Sequence, residues 1–342
     1  MSRKRLLLLL LVILGAILSY QTLERRWQQS LPVPAEGVII EVAPGESLRA
    51  VANRLHEESL VPYPNMLIIF ARWTGADQQI KPGEYRLTAS ITASELLELL
   101  RSGKVIQYQV TFPEGINLQQ ALTVLASQEH LLVEVDDSGD PRLQELVKPY
   151  AHPEGLFFPD TYYYSRGTTD LQLLQRAHRK MVAVLEQEWQ TRAADLPYET
   201  SYEALIMASI IERETGLPEE REQIAGVFVR RLQAGMRLQT DPTVIYGVGD
   251  EFDGNLRRAH LKDESNDYNT YRHDGLPPTP IALPGLASIR AALHPAPGDE
   301  LYFVARGDGG HQFSKTLAEH EAAVRKLQLQ RRSDYRSSPR RP

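Results

Sequence analysis

A chain of 342 residues, 42% hydrophobic and 24% charged, is long enough for a substantial core and for two modules, and its composition excludes disorder of the whole. The net charge of −6, with basic residues clustered at the two ends, supplies no broad basic field, so no nucleic-acid partner is expected. Having no cysteine excludes disulfides, thiolate zinc sites, cysteine nucleophiles and a lipidation cysteine, which leaves the N-terminus to report the compartment.

That terminus reads Met1-Ser-Arg-Lys-Arg5 and then Leu6 to Tyr20, an uncharged, largely aliphatic run. Carried on to Leu23 it gives about 18 residues before Glu24, near the lower limit for crossing the hydrocarbon core as a helix. Residues 1–5 are therefore expected as a cytoplasmic tail and 6–23 as a transmembrane anchor. Ile17 and Ser19 make a poor small-x-small cleavage site, which argues for an uncleaved anchor over a signal peptide, the alternative. Basic residues ahead of the run favour a cytoplasmic N-terminus, although Arg25 and Arg26 behind it weaken the bias. The rest of the chain is then outside the cytoplasm, close to the membrane surface.

Residues 24–37 are mostly polar and carry Pro32 and Pro34, which suits a linker. Val38 to Val42 reads as a strand and Pro44-Gly45 as a turn. Glu46-Ser47 then lead into a helix whose Leu48, Val51, Ala52 and Leu55 share one face. A second helix is predicted over 64–73, a strand over 83–87 and a third helix over 92–102. Together these make a small α+β module, 38–103. Its opening, PGESLRAVANRL, resembles the start of LysM-type glycan-binding modules; a packing domain without a ligand has the same pattern.

Gly103 and Lys104 mark the start of a larger α+β domain, 104–330, opening with a strand over 105–112. The stretch 154–164, EGLFFPDTYYY, sets aromatics beside carboxylates, as both sugar-binding grooves and core edges do. A long helix over 170–192, with Leu171, Leu174, Ala177, Met181 and Val184 at helical spacing, reads as scaffold. The polar tail 331–342 is expected to be disordered.

The most informative stretch runs from Tyr202 to Tyr246. A helix over 202–215 is expected to stop at Gly216-Leu217-Pro218, with Gly216 as a left-handed cap. Its last turn holds Glu212 and Glu214. At about 100° per residue Glu214 projects between Met207, Ile210 and Ile211, whereas Glu212 shares its face with Leu205, Ala208 and Ser209. Burial and the negative end of the helix dipole both disfavour an ionised Glu214. The dipole is worth about 0.3–1 kcal/mol, under one pKa unit, and desolvation can be worth several units, so burial dominates. A glutamate that stays protonated near neutral pH can donate to a glycosidic oxygen, which makes Glu214 the candidate acid/base. The competing reading pairs one or both glutamates with Arg213, Arg221 or Arg230 at the surface.

A support helix follows from Pro218-Glu219-Glu220 to Arg230-Arg231, with Gly235 just past it. Gln239, Thr240, Asp241, Thr243 and Tyr246 come next, and Asp241 before Pro242 is expected to sit in a fixed loop and not in a helix. Asn269 and Tyr271, with the proline-rich 275–280, add amides and stacking faces of the kind a carbohydrate subsite uses. Glu212, Gln239, Thr240, Asp241, Tyr246, Asn269 and Tyr271 are accordingly the substrate-binding candidates. His152, His260, His273, His294 and His311 lack metal-ligand spacing on a helix, so no metal or other cofactor is expected.

The runs ASIIERETG (208–216), GMRLQTDPTVIYGVG (235–249), YNTY (268–271), GLPPTPIALPG (275–285), ALHPA (292–296) and LYFVARGDGGHQFS (301–314), with EGLFFPDTY (154–162), closely resemble the MltG (YceG-like) family of endolytic murein transglycosylases. RET and PPTP differ in detail from other forms of those motifs. The resemblance covers most of the chain after residue 108. It implies that Glu214, the second acid of the E-x-E pair, is catalytic. It further implies cleavage of the MurNAc-GlcNAc β-1,4 bond of nascent peptidoglycan strands to 1,6-anhydro-MurNAc ends, terminating elongation. Implied with it are a single-pass place in the cell inner membrane with a periplasmic catalytic domain, and peptidoglycan polymerases as functional partners. A muramidase using Asp241 or Glu212 as second carboxylate, and a noncatalytic glycan-binding scaffold, are the alternatives.

Overall fold

The computed structural model describes residues 3–329. Its first element, α1 (Arg3–Gln28), is one continuous helix. Among the described residues no helix is long and apolar enough to cross a membrane. The side chains of 3–9 and of Ala16 lie outside the described set, so the tail 1–5 and part of the expected span 6–23 fall outside it, as does the tail 331–342. The chain as a whole is α+β and divides into two units, residues up to 108 with 163–167, and residues 109–162 with 168 onward.

In the first unit β1 (Val38–Val42) lies antiparallel to β2 (Gly83–Leu87), with Val38 opposite Leu87. Two helices, α2 (Leu48–Glu57) and α3 (Pro64–Thr74), connect the strands, and α4 (Ala93–Ser102) follows. Local sequence accounts for the boundaries. Ser47 accepts the Ala50 N–H at the start of α2, and Thr92 with Glu95 forms a capping box on α4, so donors that the helices leave free are satisfied. Gly75 and Gly103, at φ 69° and 70°, end α3 and α4 in the left-handed conformation that glycine adopts without strain. Val51, Leu55, Leu67, Tyr85, Leu96 and Leu100 form the core. The buried Tyr85 phenol donates to the Lys81 carbonyl at 2.6 Å.

The segment read as a linker, 24–37, is not free of the unit. It is helical to Gln28, and Leu31 and Val33 are then buried. The Leu31 N–H donates to the Ile91 carbonyl at 2.8 Å. The alternation explains the difference: Pro32 and Pro34 hold the backbone extended and face solvent, which turns the two aliphatic residues inward.

The chain leaves the first unit within β3 (Tyr108–Thr111), shorter than the 105–112 expected, and β3 pairs with β4 (Thr161–Tyr164). Between these strands come α5 (Leu118–Ala126) and α6 (Pro141–Leu146). The second unit continues with α7 (Asp170–Gln190), α8 (Ser201–Glu214), α9 (Arg221–Gln233), α10 (Asp241–Val248), α11 (Arg258–Lys262) and α12 (Leu286–Leu293). It closes with the antiparallel hairpin β5 (Tyr302–Ala305) and β6 (His311–Ser314) and with α13 (Leu317–Val324).

Helix α8 is the centre of this unit. Every residue from Ala204 to Ile211 is buried, because α7, α9 and α12 pack around it. Its one polar residue in that stretch, Ser209, donates to the Ile206 carbonyl and accepts the Ile281 N–H, which satisfies a hydroxyl that would otherwise be costly to bury. Gly226 lets α9 approach closely, since a Cβ there would lie 2.5 Å from the Ala296 carbonyl oxygen. The end of α8 corrects the sequence expectation: Thr215, at φ −138° and ψ 138°, stops the helix by turning extended, and Gly216 is not a left-handed cap. The Thr215 hydroxyl then accepts the Leu217 N–H at 3.0 Å.

Candidate active site

Because α8 is enclosed on all sides, the bulk of the neighbouring apolar residues does not separate Glu212 from Glu214; their partners do. Glu212 accepts the N–H of Gly285, the residue that begins α12, at 3.0 Å, and lies 3.7 Å from Arg221. It therefore holds the α12 N-terminus and pairs with Arg221 in a largely buried contact. Arg213 and Arg230 are used elsewhere, on the carbonyls of Gly115 and of Glu300 and Ala296.

Glu214, the last residue of α8, is half-buried and accepts one hydrogen bond, from the Thr240 hydroxyl at 2.8 Å. Burial pushes its carboxyl up from the ordinary 4.5 to about 7. The Thr240 bond opposes that rise, and the negative charge of Asp241 adds to it.

Thr240 is presented by the start of a helix. Contrary to the loop expectation, Asp241 is the first residue of α10 and Pro242 sits in its first turn, where its missing N–H costs nothing. Thr240 is the N-cap by backbone geometry, yet its hydroxyl makes no cap bond and goes to Glu214. The cap position is fixed from the opposite side: the Thr240 N–H donates to the Thr270 hydroxyl at 3.1 Å, and the preceding Gln239 N–H to the Thr270 carbonyl at 3.1 Å. Gln239 holds the left-handed conformation at φ 54°, and its side-chain oxygen accepts from Arg231 at 2.8 Å.

The 268–271 loop supplies the next layer. The Tyr271 hydroxyl donates to the exposed Asp241 carboxylate at 2.7 Å. Asn269, expected to contact substrate, is wholly buried: its amide donates to the carbonyls of His260 and Asp263, and its oxygen accepts the Tyr271 N–H. Its hydrogen-bonding capacity is spent on folding the loop that carries Tyr271. Thr240, Asp241 and Tyr271 are thus brought to Glu214, whereas Glu212 and Asn269 are bonded to other groups.

Tyr246 faces a group that the sequence reading missed. Its hydroxyl donates at 3.0 Å to Glu154, a buried carboxylate. Glu154 also accepts the Leu118 N–H on both oxygens at 3.1 Å and the Gly155 N–H at 3.2 Å. Burial raises its carboxyl to about 7 against the pull of these donors. Beside it Tyr246 packs edge-on to Tyr268, with ring centroids 4.9 Å apart, and the Tyr268 hydroxyl is bonded to Thr279 at 2.8 Å. The available signal was a lone acid at the head of the aromatic run EGLFFPD, which cannot be buried without several donors.

Of the histidines, His311 is bonded to the buried Glu220 at 2.7 Å. Among the described residues no group of three or more histidine, aspartate or glutamate side chains is arranged to hold a metal ion.

Comparison with known proteins gives this arrangement a context. The model of the YceG-like family matches residues 40–326. The chain belongs to the YceG-like family. An endolytic murein transglycosylase of Bacillus subtilis strain 168 is 32% identical over 311 residues, covering 84% of each protein. A protein of the same name from Streptococcus pneumoniae serotype 2 is 28% identical over 334 residues, covering 86% of this chain and 59% of that longer relative. A 2.6 Å crystal structure of a YceG-like protein from Listeria monocytogenes superposes with a TM-score of 0.53 at 26% identity, covering 84% of this chain and 99% of that one. The match covers most of both units, leaving out α1, and includes Glu154, Glu214 and Thr240.

Proposed function

We propose that this YceG-like protein is a lytic transglycosylase that cuts the MurNAc-GlcNAc β-1,4 bond of peptidoglycan strands, with Glu214 as its acid and base. The observation that carries the reading is the state of that one carboxyl: half-buried, near pKa 7, and held by a single hydroxyl, in a chain whose curated relatives are named endolytic murein transglycosylase. At neutral pH about half of such groups carry a proton to give to the leaving glycosidic oxygen. The carboxylate so formed can take the proton of the substrate's own C6 hydroxyl as that oxygen attacks C1, which closes a 1,6-anhydro ring. One acid suffices for both transfers, and no water has to be positioned by a second carboxylate, as an inverting glycosidase requires. Thr240, Asp241 and Tyr271 line the approach.

Asp241 favours a second reading. Its charge acts on Glu214 and it is exposed, so it is the carboxylate a muramidase would use to activate water. Digestion of isolated sacculi followed by mass spectrometry separates the two. A transglycosylase leaves anhydro ends and a muramidase leaves reducing ends, and Glu214→Gln should abolish either product by about 10²–10⁴-fold. Cleavage retained in that variant would reassign the acid.

The anchor belongs to the same reading. Leu6 to Leu23 as helix is about 27 Å long, close to the hydrocarbon thickness of a bilayer. Leu10, Leu11, Leu14, Ile17 and Leu18 stand exposed along α1, a surface that lipid would cover. On this reading the enzyme is a single-pass protein of the cell inner membrane with its catalytic unit periplasmic, where nascent strands leave the polymerases. Cutting there would end elongation. The strand-helix-helix-strand order of β1, α2, α3 and β2 supports a LysM-like reading of the first unit.

A further inference from the structure

Helix α3 is apolar on two faces. Leu67, Ile68 and Ala71 are buried in the core of the first unit. On the other side Met66, Ile69, Phe70 and Trp73 recur at i, i+3, i+4 and i+7, with Ile69 65% and Trp73 82% exposed, and the exposed Tyr63 precedes them. A surface helix ordinarily carries polar residues there, and a continuous apolar stripe marks a site that something covers.

The stripe continues directly onto α1. Trp27 stacks on Phe70 with centroids 4.1 Å apart and planes 16° apart, Phe70 meets Trp73 edge-on at 6.2 Å, and Arg26 lies over the Tyr63 ring at 4.6 Å. Leu23, where the uncharged run ends, is only about 6 Å of helix from Trp27. The headgroup zone is on the order of 5–8 Å deep on each side of the hydrocarbon core. The aromatic cluster therefore stands at the height where tryptophan and tyrosine are enriched in membrane proteins. Arg25, Arg26 and the exposed Arg72 set cations beside it, as a surface of lipid phosphates requires.

We propose that the outer face of α3, together with Trp27, is a membrane-interface patch that seats the first unit on the outer leaflet, with Trp73 among the headgroups. The inference rests on α1 being the anchor, and the occupant it names is the lipid surface, not a glycan strand or a second copy of the chain.

The chain has three tryptophans, so Trp27→Phe with Trp189→Phe leaves Trp73 as sole reporter while a ring is kept against Phe70. The full chain carrying both changes is reconstituted in phosphatidylethanolamine/phosphatidylglycerol vesicles containing phosphatidylcholine brominated either at carbons 6 and 7 or at carbons 11 and 12. We expect Trp73 emission to fall at least two-fold with the shallow bromines and less with the deep ones. Emission untouched by either, in protein that resists alkaline carbonate extraction, overturns the patch and leaves the anchor standing. Release by carbonate overturns the anchor and the patch with it. A Trp73 spectrum that shifts only on adding glycan strands, or only as protein density rises, assigns the face to glycan or to self-association and likewise overturns the proposal.

Discussion

Replacing Thr240 by valine keeps the shape of the side chain and removes the one hydroxyl that donates to Glu214. That bond stabilises the ionised carboxylate, so its loss must raise the Glu214 pKa. A hydrogen bond to a charged group contributes about 1.5–3 kcal/mol. Glu214 is half-buried and water can replace part of the bond, so the lower end applies, which corresponds to about one pH unit. The carboxyl then moves from about 7 to about 8. The alkaline limb of kcat/KM reports the free enzyme's acid. Between pH 6 and pH 8 the protonated fraction of the wild type falls about ten-fold, and that of Thr240→Val only about two-fold. The assay is the rate of anhydro-end formation from a soluble glycan strand at several pH values. Using the ratio of rates removes any uniform loss from disturbed packing. A limb that stays where it is, or moves to lower pH, would refute both the identity of the acid and the direction of its coupling to Thr240.

Asp241→Asn should move the same limb the other way, by less than about one pH unit, because an exposed charge acts partly through solvent and is screened by salt; the profile at low ionic strength measures it. Glu154→Gln should change stability more than catalysis. The folded Glu154 carboxyl keeps its proton to about pH 7, whereas the unfolded one releases it near 4.5. Its contribution is therefore full below about 4.5 and is lost as pH rises through about 7, at about 1.4 kcal/mol per unit or about 3 kcal/mol in all. Urea unfolding followed by the fluorescence of Trp189 on α7 should show wild-type stability falling across that window. Glu214 titrates alike, so the variant should show about half the slope; an undiminished slope would mean that Glu154 is ionised in the fold.

Most elements were legible because their end signals are local. The Thr92 capping box, Gly103 after α4 and Gly235 after α9 each act within one turn of the chain, and the sequence placed these helices to within a few residues. The misjudged places depended on distant partners. Leu31 and Val33 look like linker until Ile91 offers a carbonyl. Asp241-Pro242 looks like a loop until Thr270 fixes the backbone before it and frees α10 to begin there. At the site, Glu214 was nominated by its place at a helix end and by the family motifs. A bulky apolar stripe does not single it out, since every residue of α8 from Ala204 to Ile211 is buried. What separates the two acids is that Glu212 meets Arg221 and also Gly285, which lies some 70 residues away, a contact that no periodicity encodes.

Glu154 and Glu214, the carboxyls that burial raises to about 7, are not interchangeable, and the difference lies in their donors. Glu154 receives three separate donors, from Leu118, Gly155 and Tyr246, and is almost wholly removed from solvent. A proton leaving it would have to break that set, and a sugar oxygen has no route to it. Its task is to join the start of α5 to α10 through Tyr246. Glu214 has one donor and an open side. A proton on its free oxygen can be passed outward without disturbing any bond that holds the fold. A raised pKa alone would nominate both residues; the count of bonds that must break to move the proton favours Glu214 as the proposed acid and Glu154 as the group that aligns the helix bearing Thr240.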